Sequence, residues 1–217
     1  MVNSSVVAVC IHMINFRKRR FLSQVTGLAV YSAANSLQAG ITPWQSLGPF
    51  YPSKLPLDSN ADLTFVEGNE GTASGQIVSL HGQVRRADGS SVPDALIEIW
   101  QCDAFGAYHH PRDGGGLDPF FQGYGKTITD DGGRYRFKTI KPVAYPGRAP
   151  HIHFRVLTNS KELVTQIYVR GNPENENDFL LNSISDETAR QSLIIPFEEE
   201  AGKATDDLVA IFNPVIA

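Results

Sequence analysis

Two histidines stand two residues apart in HIHFRVL (151–157), and a tyrosine and an arginine precede them in YPGRAP (145–150). In a strand, successive side chains point to opposite faces. His151, His153 and Arg155 then share one face, and Ile152, Phe154 and Val156 share the other. The apolar set belongs against a core, so the two imidazoles point away from it. A lone histidine is more often a bystander than a ligand. A His-x-His pair on one strand face weighs against that bland reading, because both rings can converge on one ion.

Zinc or a non-haem ferrous ion would want a third histidine or a carboxylate nearby. The segment before the histidines, KPVAYPGRAP, has neither and offers Tyr145 instead; DAFGAYHH (103–110) offers a second phenol, Tyr108. A phenolate is a hard, anionic donor that suits ferric iron, and binding there lowers the phenol's pKa far below its free value. His109 and His110 follow Tyr108 and read as loop surface. They remain the spare ligands, so a zinc or ferrous site built on His151, His153 and one of them stays open as a competing reading.

Something rigid has to hold these residues together. Strand signals recur at 76–86, 95–102, 134–140, 151–157, 163–169 and 207–213, with turn clusters such as ADGSSVPDA and DDGG between them. Nineteen Gly, 13 Pro, 12 Phe and 7 Tyr fit many short strands joined by turns. Helix-compatible text is confined to 177–200. The pattern predicts an all-β protein: an antiparallel β-sandwich, prealbumin- or immunoglobulin-like, with little helix. Two long loops, 103–125 and 141–150, interrupt it and are where an active site belongs. Residues 40–75 have no period and read as an extended arm laid over the domain, which spans 76–217. The net charge of −4 gives no argument for nucleic acid. Cys10 and Cys102 form no CxxC pair, so neither a zinc ribbon nor a disulfide scaffold is indicated.

The N-terminus is different in kind. Residues 1–39 contain Arg17, Lys18, Arg19 and Arg20 and no acid; the first acid is Asp58. A moderately apolar stretch ending in small residues follows the basic run, too short and polar for a permanent membrane span. It reads as an export signal, with KRRFL resembling the twin-arginine type, and predicts a periplasmic or cell-envelope protein. A basic amphipathic arm is the alternative, and Met13 would give a tighter signal start than Met1. Cleavage near Ala39 removes four positive charges and no negative ones, taking the net charge from −4 to −8.

The segments GPFYP (48–52), HGQV (81–84), IEIWQCDAFGAY (97–108), YPGRAPHIHF (145–154) and TQIYV (165–169), in this order, resemble the intradiol ring-cleavage dioxygenases, nearest the protocatechuate 3,4-dioxygenase-like branch. The resemblance covers roughly residues 45–215. It implies a ferric ion, Fe(3+), held by Tyr108, Tyr145, His151 and His153. Tyr145 would also act as a base toward the substrate, and Arg148 would be the active-site arginine. Gln166 and Trp100 match pocket residues, although a tryptophan there also suits a core. The implied reaction cleaves a catechol-type ring between its two hydroxyl-bearing carbons with O2, giving a cis,cis-muconate-type diacid. The partners would be a small aromatic diol and dioxygen, with homo-oligomerisation left open. HGQVRRADGSSVPDALIEIW also resembles non-catalytic prealbumin-like binding modules, the alternative to an enzyme.

Overall fold

The alternation in the sequence becomes alternation of burial. The computed structural model describes residues 40–56, 58–199 and 207–217, so the expected export segment 1–39 lies outside the described residues. The strands, in order, are β1 (Ile77–Gln83), β2 (Arg85–Arg86), β3 (Leu96–Trp100), β4 (Tyr124–Ile128), β5 (Arg134–Ile140), β6 (His151–Leu157) and β7 (Glu162–Val169). After two short helices, α1 (Phe179–Asn182) and α2 (Glu187–Gln191), come β8 (Ile194–Ile195), β9 (Glu198–Glu199), β10 (Leu208–Ile211) and β11 (Val215–Ile216).

Two principal sheets result, ordered β5-β1-β10-β9 and β4-β3-β6-β7-β8, with a small β11-β2 pair beside them. The long pairs β1·β5, β3·β4, β3·β6 and β6·β7 are antiparallel, as expected. Shorter partners join in parallel: β10 on β1, β11 on β2 and β8 on β7. Val78 and Leu80 of β1, Tyr135 and Phe137 of β5, Ile97 and Ile99 of β3, and Ile152, Phe154 and Val156 of β6 all belong to one buried cluster. Burying each of these larger apolar side chains stabilises the fold by about 1.5–3 kcal/mol.

One strand begins inside the expected loop 103–125. β4 starts at Tyr124, and its second residue, Gly125, weakens the strand signal. A Cβ there would lie 2.4 Å from Leu63 Cδ1 and 2.6 Å from Asn60 O, so the glycine lets the preceding chain cross closely.

The second face of the five-stranded sheet is also covered. Register places Gln166, His153, Trp100 and Tyr124 in one row across β7, β6, β3 and β4. Residues 40–56 contain no helix or strand and are tied to the domain by backbone bonds, Thr42 N–H to Val215 O at 2.9 Å and Gln45 N–H to Val164 O at 2.7 Å. Leu47, Phe50 and Tyr51 from this segment pack on a second buried cluster of Trp100, Cys102, Tyr108, Tyr124 and Val164. The face opposite the main core is therefore a second, aromatic interior.

Candidate active site

His151 and His153 lie on that second face, each 1% exposed, with their Nε2 atoms 3.3 Å apart. The Ala149 carbonyl lies 2.6 Å from His151 Nδ1. A carbonyl only accepts, so Nδ1 carries the proton and Nε2 presents a bare lone pair. Among the described residues His153 has no such partner, and its buried Nδ1 makes no hydrogen bond to them. Its ring is held flat against Trp100.

Each phenol arrives on its own loop. Tyr108 follows β3 in a loop tied down by the buried Asp103, which accepts from the N–H of Phe105, Ala107 and Asp118. The Tyr108 N–H donates to Asp113 at 3.0 Å. Its hydroxyl comes 3.5 Å from His151 Nε2. Tyr145 and Arg148 stand at the two ends of a Pro-Gly turn closed by Arg148 N–H to Tyr145 O at 2.9 Å. The two phenol rings meet edge to face at 5.5 Å. From the arm, Phe50 stacks on Tyr108 at 4.5 Å.

The electrostatics leave two neutral imidazole donors. Burial, then the Arg148 charge, pushes His151 down to about 3. Burial, then His151 and Arg148, holds His153 well below its ordinary value. Both imidazoles are neutral, as ligands must be. Burial raises both Tyr108 and Tyr145, with Arg148 opposing it at each. On their own these groups are two phenols beside two neutral imidazoles whose Nε2 atoms face one another. A hard cation among them would use both lone pairs and reverse the phenol shifts. The donor set therefore suits ferric iron.

Beside it, the Arg148 guanidinium is buried. Its Nε donates to Asp178 at 2.9 Å, Nη1 to the Tyr145 hydroxyl at 3.3 Å, and Nη2 to Gln166 Oε1 at 2.5 Å. Phe179 lies 5.4 Å from the guanidinium carbon. Gln166 accepts from Tyr168 as well, and its own buried Nε2 has no partner among the described residues.

This constellation rides on a chain that the family model described as Dioxygenase matches over residues 47–216. The chain belongs to the intradiol ring-cleavage dioxygenases. It is 40% identical to the protocatechuate 3,4-dioxygenase beta chain of Burkholderia cepacia, over 65% of this chain and 64% of that one. It is 31% identical to the hydroxyquinol 1,2-dioxygenase of Corynebacterium glutamicum, over 90% of this chain and 68% of that one. The chain thus spans about two thirds of these relatives. Among solved structures, the dioxygenase domain of a carbohydrate-binding fusion protein from Streptomyces sp. SirexAA-E aligns at TM-score 0.60 and 25% identity, over 82% of this chain and all of that one. Catechol 1,2-dioxygenase from Acinetobacter sp. ADP1 aligns at 0.60 and 26%, over 80% and 62%.

The fold brings Tyr108, Tyr145, His151 and His153 together and sets Arg148, Gln166 and Trp100 beside them. The spare histidines go elsewhere. His109 packs edge-on against Phe121 at 6.1 Å, and His110 against Phe50 at 5.9 Å. Among the described residues, no three His, Cys, Asp or Glu side chains gather as metal ligands, so the zinc or ferrous reading lacks its third one.

Two partners escaped the sequence reading. Asp178 carries only a local sign, an acid one residue before the helical FLLN. Glu98 is 3% exposed on β3 and accepts from Tyr51, Tyr124 and Arg155. An acid inside the apolar run ALIEIW was its signal.

Proposed function

We propose that the protein uses ferric iron and dioxygen to open a catechol-type ring between its two hydroxyl-bearing carbons, yielding a cis,cis-muconate-type diacid. The convergence of two neutral imidazole nitrogens and two phenol oxygens beside a buried arginine carries this reading. Tyr108, Tyr145, His151 and His153 would hold the ion, which when bound supplies a chelating centre for the deprotonated diol and its reaction with dioxygen. As the phenolate that a bound cation would favour, Tyr145 would take a substrate proton. Arg148 can stabilise negative charge on the substrate oxygens, because Asp178 and Gln166 hold its guanidinium in place. Trp100 and Gln166 wall the site, and Leu47 and Phe50 cover it against water.

The names of the relatives supply the substrate panel: protocatechuate, hydroxyquinol and catechol. The iron-loaded protein should consume dioxygen with at least one of these and form the ring-opened diacid. Tyr108→Phe should abolish most of the visible phenolate-to-iron absorbance without unfolding the chain. No turnover across the panel, or full colour in the Tyr108 variant, would overturn the assignment. The non-catalytic binding reading gains no support from a buried ligand set of this kind.

The proposal extends to export. Replacing Lys18, Arg19 and Arg20 with Gln should retain the protein inside the cell, and continued export would refute a twin-arginine route. Among the described residues, no helix is long and apolar enough to cross a membrane.

A further inference from the structure

We propose that Asp178 is the positioning residue of this site, a single buried carboxylate that aims the Arg148 guanidinium and also holds Ala149, the residue whose carbonyl orients His151. The inference rests on the functional reading above for its catalytic consequence, though not for its geometry.

Asp178 is 1% exposed and immediately precedes α1. Its two oxygens are divided mainly between two tasks, with Oδ1 also 3.5 Å from Arg148 Nη2. Oδ1 accepts from the N–H groups of Leu180 at 3.1 Å and Leu181 at 3.0 Å, which caps the helix. Oδ2 accepts from Arg148 Nε at 2.9 Å and from the Ala149 N–H at 2.9 Å. The same Ala149 residue presents its carbonyl to His151 Nδ1 at 2.6 Å. Asp178 thus reaches the imidazole through one intervening residue and the arginine directly.

The guanidinium is planar, so its orientation is set once two of its nitrogens are fixed. Asp178 fixes Nε and Gln166 fixes Nη2, and together they direct Nη1 at the Tyr145 hydroxyl. Helix capping alone does not explain this arrangement. A cap needs only Oδ1, and α1 has four residues. Oδ2 is turned away from the helix and toward the site. Removing it leaves a buried cation facing only neutral oxygens, a costly arrangement that moving the arginine would relieve.

Asn and Ser both serve as helix caps. Asp178→Asn puts an NH2 group among the donors of Arg148 and Ala149, or surrenders the cap if the amide turns round. Asp178→Ser keeps a capping oxygen but is too short to reach Arg148. Asp186→Asn is the control, because Asp186 caps α2 through the Ala189 N–H and does not touch the site.

The first measurement is hydrogen exchange of the Arg148 Nε–H by 15N NMR on metal-free protein. It should be protected in the wild type, exchange roughly tenfold or more faster in both Asp178 variants, and stay unchanged in Asp186→Asn. The second measurement is turnover of the iron-loaded protein. In both Asp178 variants kcat should fall ~10–100-fold with KM little changed and iron content preserved, the size expected for losing an outer partner of an active-site group. A fast-exchanging Nε–H in the wild type overturns the proposal whatever the variants do. So does wild-type exchange or wild-type kcat in either Asp178 variant. If the wild-type protein cleaves no catechol, the functional reading fails, and the exchange measurement still decides the role of Asp178.

Discussion

The imidazole of His153 lies flat on the indole of Trp100, with ring centroids 4.7 Å apart and planes 8° from parallel. β3 and β6 pair these two residues directly in antiparallel register. The stack does for His153 what the Ala149 carbonyl does for His151: it fixes the ring plane, and so the direction of Nε2. Trp100 is thus a buried aromatic that also stacks on a site histidine.

Trp100→Leu should therefore loosen iron, on the order of tenfold as for other residues that orient a ligand. Trp100→Phe keeps a flat partner and also removes the unpartnered indole N–H, so it should lose less. Iron release to a chelator, followed by the loss of visible colour, measures both. Equal retention in the Leu and Phe variants would show that the stack does not orient His153.

Glu98 should matter far more to stability than Glu162, although Arg155 contacts both at similar distance. The Glu98 side chain is 4% exposed and the Glu162 side chain 46%. Glu98→Ala strands the hydroxyls of Tyr51 and Tyr124 and half of the Arg155 pairing in a buried place, which costs about 3–5 kcal/mol. Glu162→Ala removes a solvent-screened pair worth about 0–1 kcal/mol. Urea unfolding of the two variants compares them. Because Tyr51 comes from the arm, Glu98→Ala should also increase proteolysis within residues 40–56.

Acid should destabilise the metal-free protein earlier than carboxylate titration would. Burial and Arg148 hold His151 at about 3, against an ordinary 6.5, and hold His153 well below the same ordinary value. The unfolded chain takes up protons near 6.5 while the folded one refuses them. Stability is therefore unaffected by these groups above pH 7 and declines from about pH 6.5 downward. The urea midpoint of chelated protein should fall between pH 6.5 and 4.5, before most carboxylates respond. The decline should be shallower in His153→Gln. A flat midpoint across that window would mean the histidines are not held neutral.

Much of this was written in the sequence in periodic form. β6 runs from His151 to Leu157, as its alternation indicates, and the division into Ile152, Phe154 and Val156 against His151 and His153 needs only a period of two. What periodicity cannot encode is which distant residues meet. Arg148 finds Asp178 across 30 positions, and Tyr51 finds Glu98 across 47. These pairings depend on how the arm and the α1 turn are laid over the sheet. β8, β9 and β11 are two residues each, too short to carry a period, and they owe their pairing to neighbours already in place. The sequence indicates an arm laid over the domain, but not which face it covers, because the covering residues belong to a segment with no pattern of its own.

That segment yields the last prediction, at Gly48. Its φ is +74°, in the left-handed region where a side chain is strained, and a Cβ added there would sit 3.2 Å from His153 Cε1. The arm passes this close because Gln45 holds it on one side and Tyr51 on the other, through Val164 O and Glu98. Gly48→Ala thus has two ways to relax. The arm can lift, which costs packing of Phe50 on Tyr108, or His153 can tilt off Trp100, which misdirects Nε2. Either route should weaken iron retention and slow turnover, with a stability loss of about 1–3 kcal/mol from the forced backbone. The two are separable by tryptophan fluorescence, since tilting His153 changes the environment of Trp100, whereas lifting the arm increases cleavage near residues 47–51. If Gly48→Ala keeps its iron, its colour and its protease resistance, the arm is not a working cover of the site.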